Sequence, residues 1–213
     1  MYIPPAFWEE RIEALHDLMR RHSFATLVSV LGGELFSTHL PLLLDPARGE
    51  YGTLVGHLAR ANPHWRAFDS AGTTDQSGPE TLAIFSGPHA YVSPSWYETE
   101  MAVPTWNYVA VHAYGRPRVI EDAERLKRVL ADLVGTYESG FERPWRMDGL
   151  PGEYVDEMAA NVVGFEIEIT RLEGKRKLSQ NRPQADREGG IAGLRRHGGP
   201  EGVAVAEMME RAP

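Results

Sequence analysis

From Val163 to Thr170 the chain reads "VGFEIEIT", in which Phe165, Ile167 and Ile169 alternate with Glu166, Glu168 and Thr170. A period of two places the apolar residues on one face of a strand and the polar ones on the other. That is the mark of an antiparallel sheet with a core side and a solvent side. The continuation is less usual. Strands commonly stop in Gly, Asn or Asp, but this one leads into "GKRKLSQNR", Gly174 to Arg182. Two readings stay open for that run: a solvated exit, or a set of donors for an anion.

The rest of the chain fits the same architecture. A helix is predicted over about 8–21, with Ile12, Leu15, Leu18 and Met19 on one stripe and Arg20 and Arg21 at its C-terminal end. "FATLVSVLGGELFSTHLPLLLD" reads as a hairpin turning at Gly32-Gly33, and "TLVGHLA" as a third strand. "RANPHWRAFD" reads as a short helix capped by Asn62 with Pro63 first. "SAGTTDQSGPE" is a loop before the strand "TLAIFSG". "PHAYVSPSWYETEMAVPTW" is read as an ordered loop with strand fragments, and "NYVAVHAYGRPRVIED" as a long strand bent near Gly115 and Pro117. "EDAERLKRVLADLVGTYES" is an amphipathic helix with Asp122 as N-cap, and "LPGEYVDEMAANV" a weaker one. After Arg182 the chain is polar and Gly-rich, with one short helix expected at about 201–211. Strands do not alternate with helices, so a doubly wound parallel sheet is disfavoured. An α+β antiparallel barrel with peripheral helices is expected.

Composition narrows the chemistry. With 213 residues and no cysteine, the chain can bury a core without disulfides and has no thiolate chemistry. The N-terminus lacks a basic stretch followed by an apolar run, and no window suits a membrane span, so a cytoplasmic protein is expected. A net charge of -8 argues against a surface that grips nucleic acid as a whole. His39, His57, His64, His89 and His112 are scattered over separate elements, and no metal site is expected.

Three strand ends carry candidate binding groups. In "GHLARANPHW" a strand gives way to a helix N-terminus beside Arg60 and His57, a setting for phosphate or simply a capped corner. In "VPTWNYVAVHAYG", Thr105, Trp106, Asn107 and Tyr108 offer an aromatic wall and polar edges to a planar ring, or a packed corner. The third is the Lys177–Arg182 run itself. No nucleophile elbow, zinc-protease helix or nucleotide-binding glycine loop occurs, and no catalytic residue is assigned.

The segments "MYIPPAF", "HSFATLVS", "THLPLLLD", "GTLVGHLARANPHW", "AIFSGPHAYVSPSWY", "VPTWNYVAVHAYG" and "VGFEIEITRLEGKRKLSQNR" together closely resemble the PaiB family, described as FMN-binding negative transcriptional regulators. The resemblance runs from Met1 to about Leu194. It departs in the longer "SAGTTDQSGPE" loop and in the tail. It implies a split β-barrel related to pyridoxamine phosphate oxidase over 1–194, with 195–213 as a polar tail, and a homodimer holding FMN between subunits. On that resemblance Arg60 and Lys177 become candidates for the FMN phosphate. His57, Asn62, Thr105, Trp106, Asn107, Gln180, Asn181 and Arg182 become candidates for the ribityl chain and ring, and His39, in "STHLP", for a strand position facing the same cleft. The family implies transcriptional repression, yet no helix-turn-helix is evident around 8–21 or 122–138. A flavin-dependent oxidoreductase is the alternative, with Tyr91, Trp96, Tyr97 and Trp106 lining a substrate space or a dimer core. Haem binding through His39, His57 or His89 is a third reading.

Overall fold

The computed structural model describes residues 1–68 and 79–212. The elements in chain order are β1 (Trp8–Glu9), α1 (Ile12–Arg21), β2 (Phe24–Leu31), β3 (Glu34–Pro41), β4 (Leu43–Asp45), β5 (Thr53–Ala59), β6 (Thr81–Val92), β7 (Thr105–Val119), α2 (Ala123–Glu138), α3 (Gly152–Ala160), β8 (Val162–Lys177), α4 (Gln184–His197) and α5 (Gly199–Glu210), with short 3-10 helices at Pro5–Phe7, Pro63–Phe68 and Pro94–Trp96. The strands form one eight-stranded sheet in the order β3-β2-β6-β7-β8-β5-β4, with β1 on β8. The pairings of β1 with β8, β2 with β3 and β6, and β5 with β4 and β8 are antiparallel. The α+β antiparallel barrel expected from the sequence is the observed fold. Of the "SAGTTDQSGPE" loop, residues 70–78 lie outside the described residues.

The contacts divide the chain into two compact units. The first comprises Met1–Leu18, Phe85–His112 and Glu173–Pro213, and the second Met19–Ile84 and Ala113–Leu172. In the second unit the alternation of β8 behaves as its sequence requires. Phe165, Ile167 and Ile169 are buried, and Glu166 on the other face takes the guanidinium groups of Arg48 and Arg125. Gly115 is needed where β7 crosses β8, because a Cβ there would strike the Glu168 backbone and Ile167. Asp122 caps α2 as expected, its Oδ1 accepting from the N–H groups of Glu124 at 2.9 Å and Arg125 at 3.3 Å. Leu126, Val129 and Leu133 of α2 cluster with Ile120 and Ala159.

Three expectations change in the first unit. Helix α1 starts at Ile12, because Trp8 and Glu9 pair instead with Lys175 and Gly174. That pairing is also why β8 continues through "GKRK" to Lys177 instead of stopping at Gly174. The stretch after Arg182 is two helices, not a polar tail with one. Leu194, Val205, Ala206 and Met209 on α4 and α5 are fully buried. The glycines that made α4 look like a loop are seats for Trp96: a Cβ on Gly189 or Gly193 would collide with it. His197 stacks on the Trp96 ring at 6.1 Å.

Candidate functional site

Seven of the candidate residues lie in the first unit and four in the second. In the second unit, Asn62 caps the 3-10 helix, its Oδ1 accepting from His64 N at 3.0 Å, while its Nδ2 donates to Thr38 Oγ1 at 3.1 Å. The same Thr38 oxygen lies 2.8 Å from His64 Nδ1. Arg60 is engaged locally, Nε donating to the Ala160 carbonyl at 2.7 Å and Nη2 to that of Val162 at 2.9 Å. It ties the end of α3 to the start of β8. His57 is half-buried with an unpartnered Nδ1, and burial holds its pKa below the usual value. His39 is exposed and stacks on Phe24 at 6.5 Å.

The first unit resolves the "GKRKLSQNR" question cation by cation. Arg176 is neutralised by Glu9, Nη1 to Oε2 at 3.0 Å. Glu9 is pulled down to a pKa of about 2, first by its hydrogen bond from Arg11 and, against the opposing effect of burial, also by Arg176. Lys175 is buried, its ammonium 5.1 Å from the Tyr108 ring centre and 5.5 Å from that of Tyr2, and it donates to the Tyr2 carbonyl at 3.1 Å. Among the described residues Lys177 has no carboxylate partner. Its half-buried ammonium donates to Thr105 Oγ1 and, at 2.7 Å, to the Trp106 carbonyl. Burial, then the like charges of Lys175 and Arg182, push its pKa down. Arg182 lies over the Tyr97 ring at 4.9 Å. An acid in its electrostatic reach is Asp186, whose Oδ1 already accepts from Glu98 N at 3.0 Å and Thr99 N at 3.1 Å.

Lys177, Thr105 and Arg182 thus present a cation with no carboxylate bonded to it among the described residues, a second cation only partly offset by Asp186, and a hydroxyl at one strand end, a donor set suited to a phosphate dianion. The donor set fits FMN. Trp106 is 53% exposed, with His89 and Tyr91 rings at 5.8 and 6.3 Å, and offers an aromatic surface beside the cations. Asn181 is exposed. Asn107 and Gln180 are committed elsewhere. Asn107 is fully buried and donates to Ser179 Oγ at 2.9 Å. Gln180 folds onto its own turn, accepting from Leu178 N at 2.7 Å and donating to the Arg176 carbonyl at 2.5 Å. Sequence reading missed Ser179 and Met209, which hold this turn from within. The buried-helix spacing of Val205 and Met209 was the signal available for α5.

Comparison with known proteins identifies the family and its cofactor. The family model described as "Putative FMN-binding domain" matches residues 1–171. The chain is 36% identical over 210 residues to the protease synthase and sporulation protein PAI 2 of Bacillus subtilis, covering 99% of this chain and 97% of that one. Among solved structures, the flavocytochrome Anf3 of Azotobacter vinelandii superposes with a TM-score of 0.59 at 13% identity, over 80% of this chain and 69% of that one. An FAD- and haem-binding protein of Mycobacterium smegmatis does so at 0.57 and 15% identity, over 80% and 73%. Both show a shared fold. The chain belongs to the FMN-binding domain family, PaiB-like in sequence, with FMN as its cofactor.

Proposed function

We propose that the protein is an FMN-dependent regulator of the PaiB type, a negative regulator of transcription, gripping the cofactor phosphate with Lys177, Thr105 and Arg182. The observation that carries the reading is Lys177: a half-buried ammonium, beside two further cations, with no carboxylate bonded to it among the described residues. Bound FMN supplies reversible redox chemistry, and the residues here bind and orient it. Trp106 and Asn181 face its ring and ribityl chain, and Asn107 and Gln180 shape the turn that carries the cations. Within the second unit, His39, His57, Arg60 and Asn62 stand as a separate candidate set for flavin contacts. Arg60 contributes through the N–H groups that its two carbonyl bonds leave over.

The regulatory part of the reading is supported by the name of the Bacillus relative, which links that protein to protease synthesis and sporulation. Regulation is proposed to act through a partner and not by gripping DNA. Helices α4 and α5 are joined by Gly198 alone, but α5 presents exposed Glu201, Glu207 and Glu210, and Arg195 of α4 is bound to Glu210 at 2.9 Å. With Glu207 also paired to Arg211, little net positive charge is left there for a phosphate backbone. A homodimer with FMN at the subunit interface belongs to the same reading, supported by the exposed Tyr91, Met101, Val103 and Trp106. Among the described residues no helix is long and apolar enough to cross a membrane, and a cytoplasmic location is proposed.

A flavin-dependent oxidoreductase acting on a small molecule is the second reading, favoured by the open His89, Tyr91 and Trp106 cluster beside the cations. The test is an FMN titration with riboflavin as control, followed by anaerobic addition of NAD(P)H. Preference for FMN supports the phosphate grip, and rapid flavin reduction shifts the balance to the enzyme. Equal weak binding of both flavins refutes the grip, and a Soret band in the purified protein would point to haem. Salt-dependent, sequence-selective DNA retention would overturn indirect regulation.

A further inference from the structure

We infer that Asn107 is a positioning residue for the cofactor phosphate, acting through Ser179, and that the C-terminal helix α5 belongs to the same device through Met209. The inference rests on the phosphate reading above. Ser179 lies between Lys177 and Arg182 and has φ of 62°, the one positive φ at a non-glycine among the described residues. Side chains other than Gly, Asn and Asp enter this region at a cost, and hold it only when local bonds impose it.

The bonds are present. Asn107 Nδ2 donates to Ser179 Oγ at 2.9 Å and to Met209 Sδ at 3.3 Å, and Ser179 Oγ lies 3.3 Å from Asn107 Oδ1. A thioether accepts and cannot donate, so Met209 fixes the amide with its NH2 group towards α5. Ser179 then sets the reversal that follows: its carbonyl accepts from Arg182 N at 3.0 Å. The two cations on either side of the turn therefore take their places from one fully buried amide.

Met209 is itself held. Arg187 Nη2 donates to the carbonyls of Met209 and Ala212, both at 3.0 Å. Asp186 caps the backbone at Glu98 and Thr99, and Gly189 and Gly193 receive Trp96. Ser179 and Met209 lie beyond residue 171, where the family match ends. The helical pair thus adds to the cofactor site residues beyond the span that the family model matches.

The test uses the full chain with Asn107→Ala, Ser179→Ala, Ser179→Gly and Met209→Leu. FMN and riboflavin affinities are measured together with amide exchange at 178–182 in the ligand-free protein. Asn107→Ala and Ser179→Ala are expected to weaken FMN about tenfold and leave riboflavin within about twofold, with faster exchange at Arg182 N. Met209→Leu conserves volume and is expected to give a smaller loss in the same direction. Ser179→Gly, free to adopt a positive φ without the tie, should retain more FMN preference than Ser179→Ala. Should Asn107→Ala not fold, the Ser179 pair carries the test. Equal losses for both flavins, unchanged FMN preference, or Ser179→Gly no better than Ser179→Ala would overturn the inference while the phosphate reading stands. A wild-type chain that binds FMN no tighter than riboflavin removes the phosphate reading, and the inference with it.

Discussion

Replacing Lys177 by Met keeps a long side-chain stem at the half-buried position and deletes the charge. The structure sets the size of the effect. Lys177 donates to Thr105 Oγ1 and the Trp106 carbonyl and has no carboxylate partner among the described residues, so a bound phosphate would gain a charge-assisted bond not already spent on the protein. Such bonds contribute about 1.5–3 kcal/mol, which is roughly a 10- to 100-fold increase in Kd on removal. The lower half of that range is expected, because Lys175 and Arg182 remain and the site is partly screened by solvent. The assay is flavin fluorescence on titration with wild-type and variant protein, FMN against riboflavin, at two salt concentrations. The FMN preference should shrink by that factor while riboflavin affinity stays level. The pH dependence has a defined sign. Burial and like charges depress the Lys177 pKa in the free protein, so its charge is lost at lower pH than for an ordinary lysine. FMN preference should therefore weaken on the alkaline side, and the variant should lack that limb. An unchanged FMN-to-riboflavin ratio in Lys177→Met would refute the phosphate assignment.

Three further outcomes follow from the packing. His64 is fully buried between Phe36 and Phe68 with Nε2 unpartnered, and burial lowers its pKa below 6.5. The unfolded chain then binds a proton that the native state refuses, so stability falls as pH drops below about 6.5, at up to about 1.4 kcal/mol per pH unit; urea melts should show a shallower slope in His64→Leu. Asp122→Ala removes the cap that satisfies two N–H groups of α2 and should cost about 1 kcal/mol in the same melts. Gly193→Ala forces a Cβ into Trp96 and should lower the thermal midpoint by an amount corresponding to about 1–3 kcal/mol, whereas alanine at Gly135, which meets nothing, should not destabilise.

Much of this fold is legible along the chain, because its signals are local. The β8 alternation, the Gly32-Gly33 turn and the Asp122 cap each depend on neighbours a few residues away. The glycines of α4 misled, because their reason lies almost a hundred residues away in Trp96. A helix seated on an indole looks, in one dimension, like a flexible loop.

The sequence by itself determined the class of sheet, the faces of its strands, the lack of thiol chemistry and the cationic character of the 175–182 run, since these follow from residue type and period. Only the tertiary structure decided which of those cations is available. Glu9 takes Arg176, Lys175 is buried against the Tyr2 and Tyr108 rings, Arg182 lies over the Tyr97 ring with Asp186 in reach, and Lys177 is left without a carboxylate among the described residues. It likewise buried Asn107 and tied it to Ser179 and to Met209 of α5. The physical reason is that the charge balance and hydrogen bonding of a side chain depend on what folding brings against it from distant segments, and the pattern along the chain records only its own period.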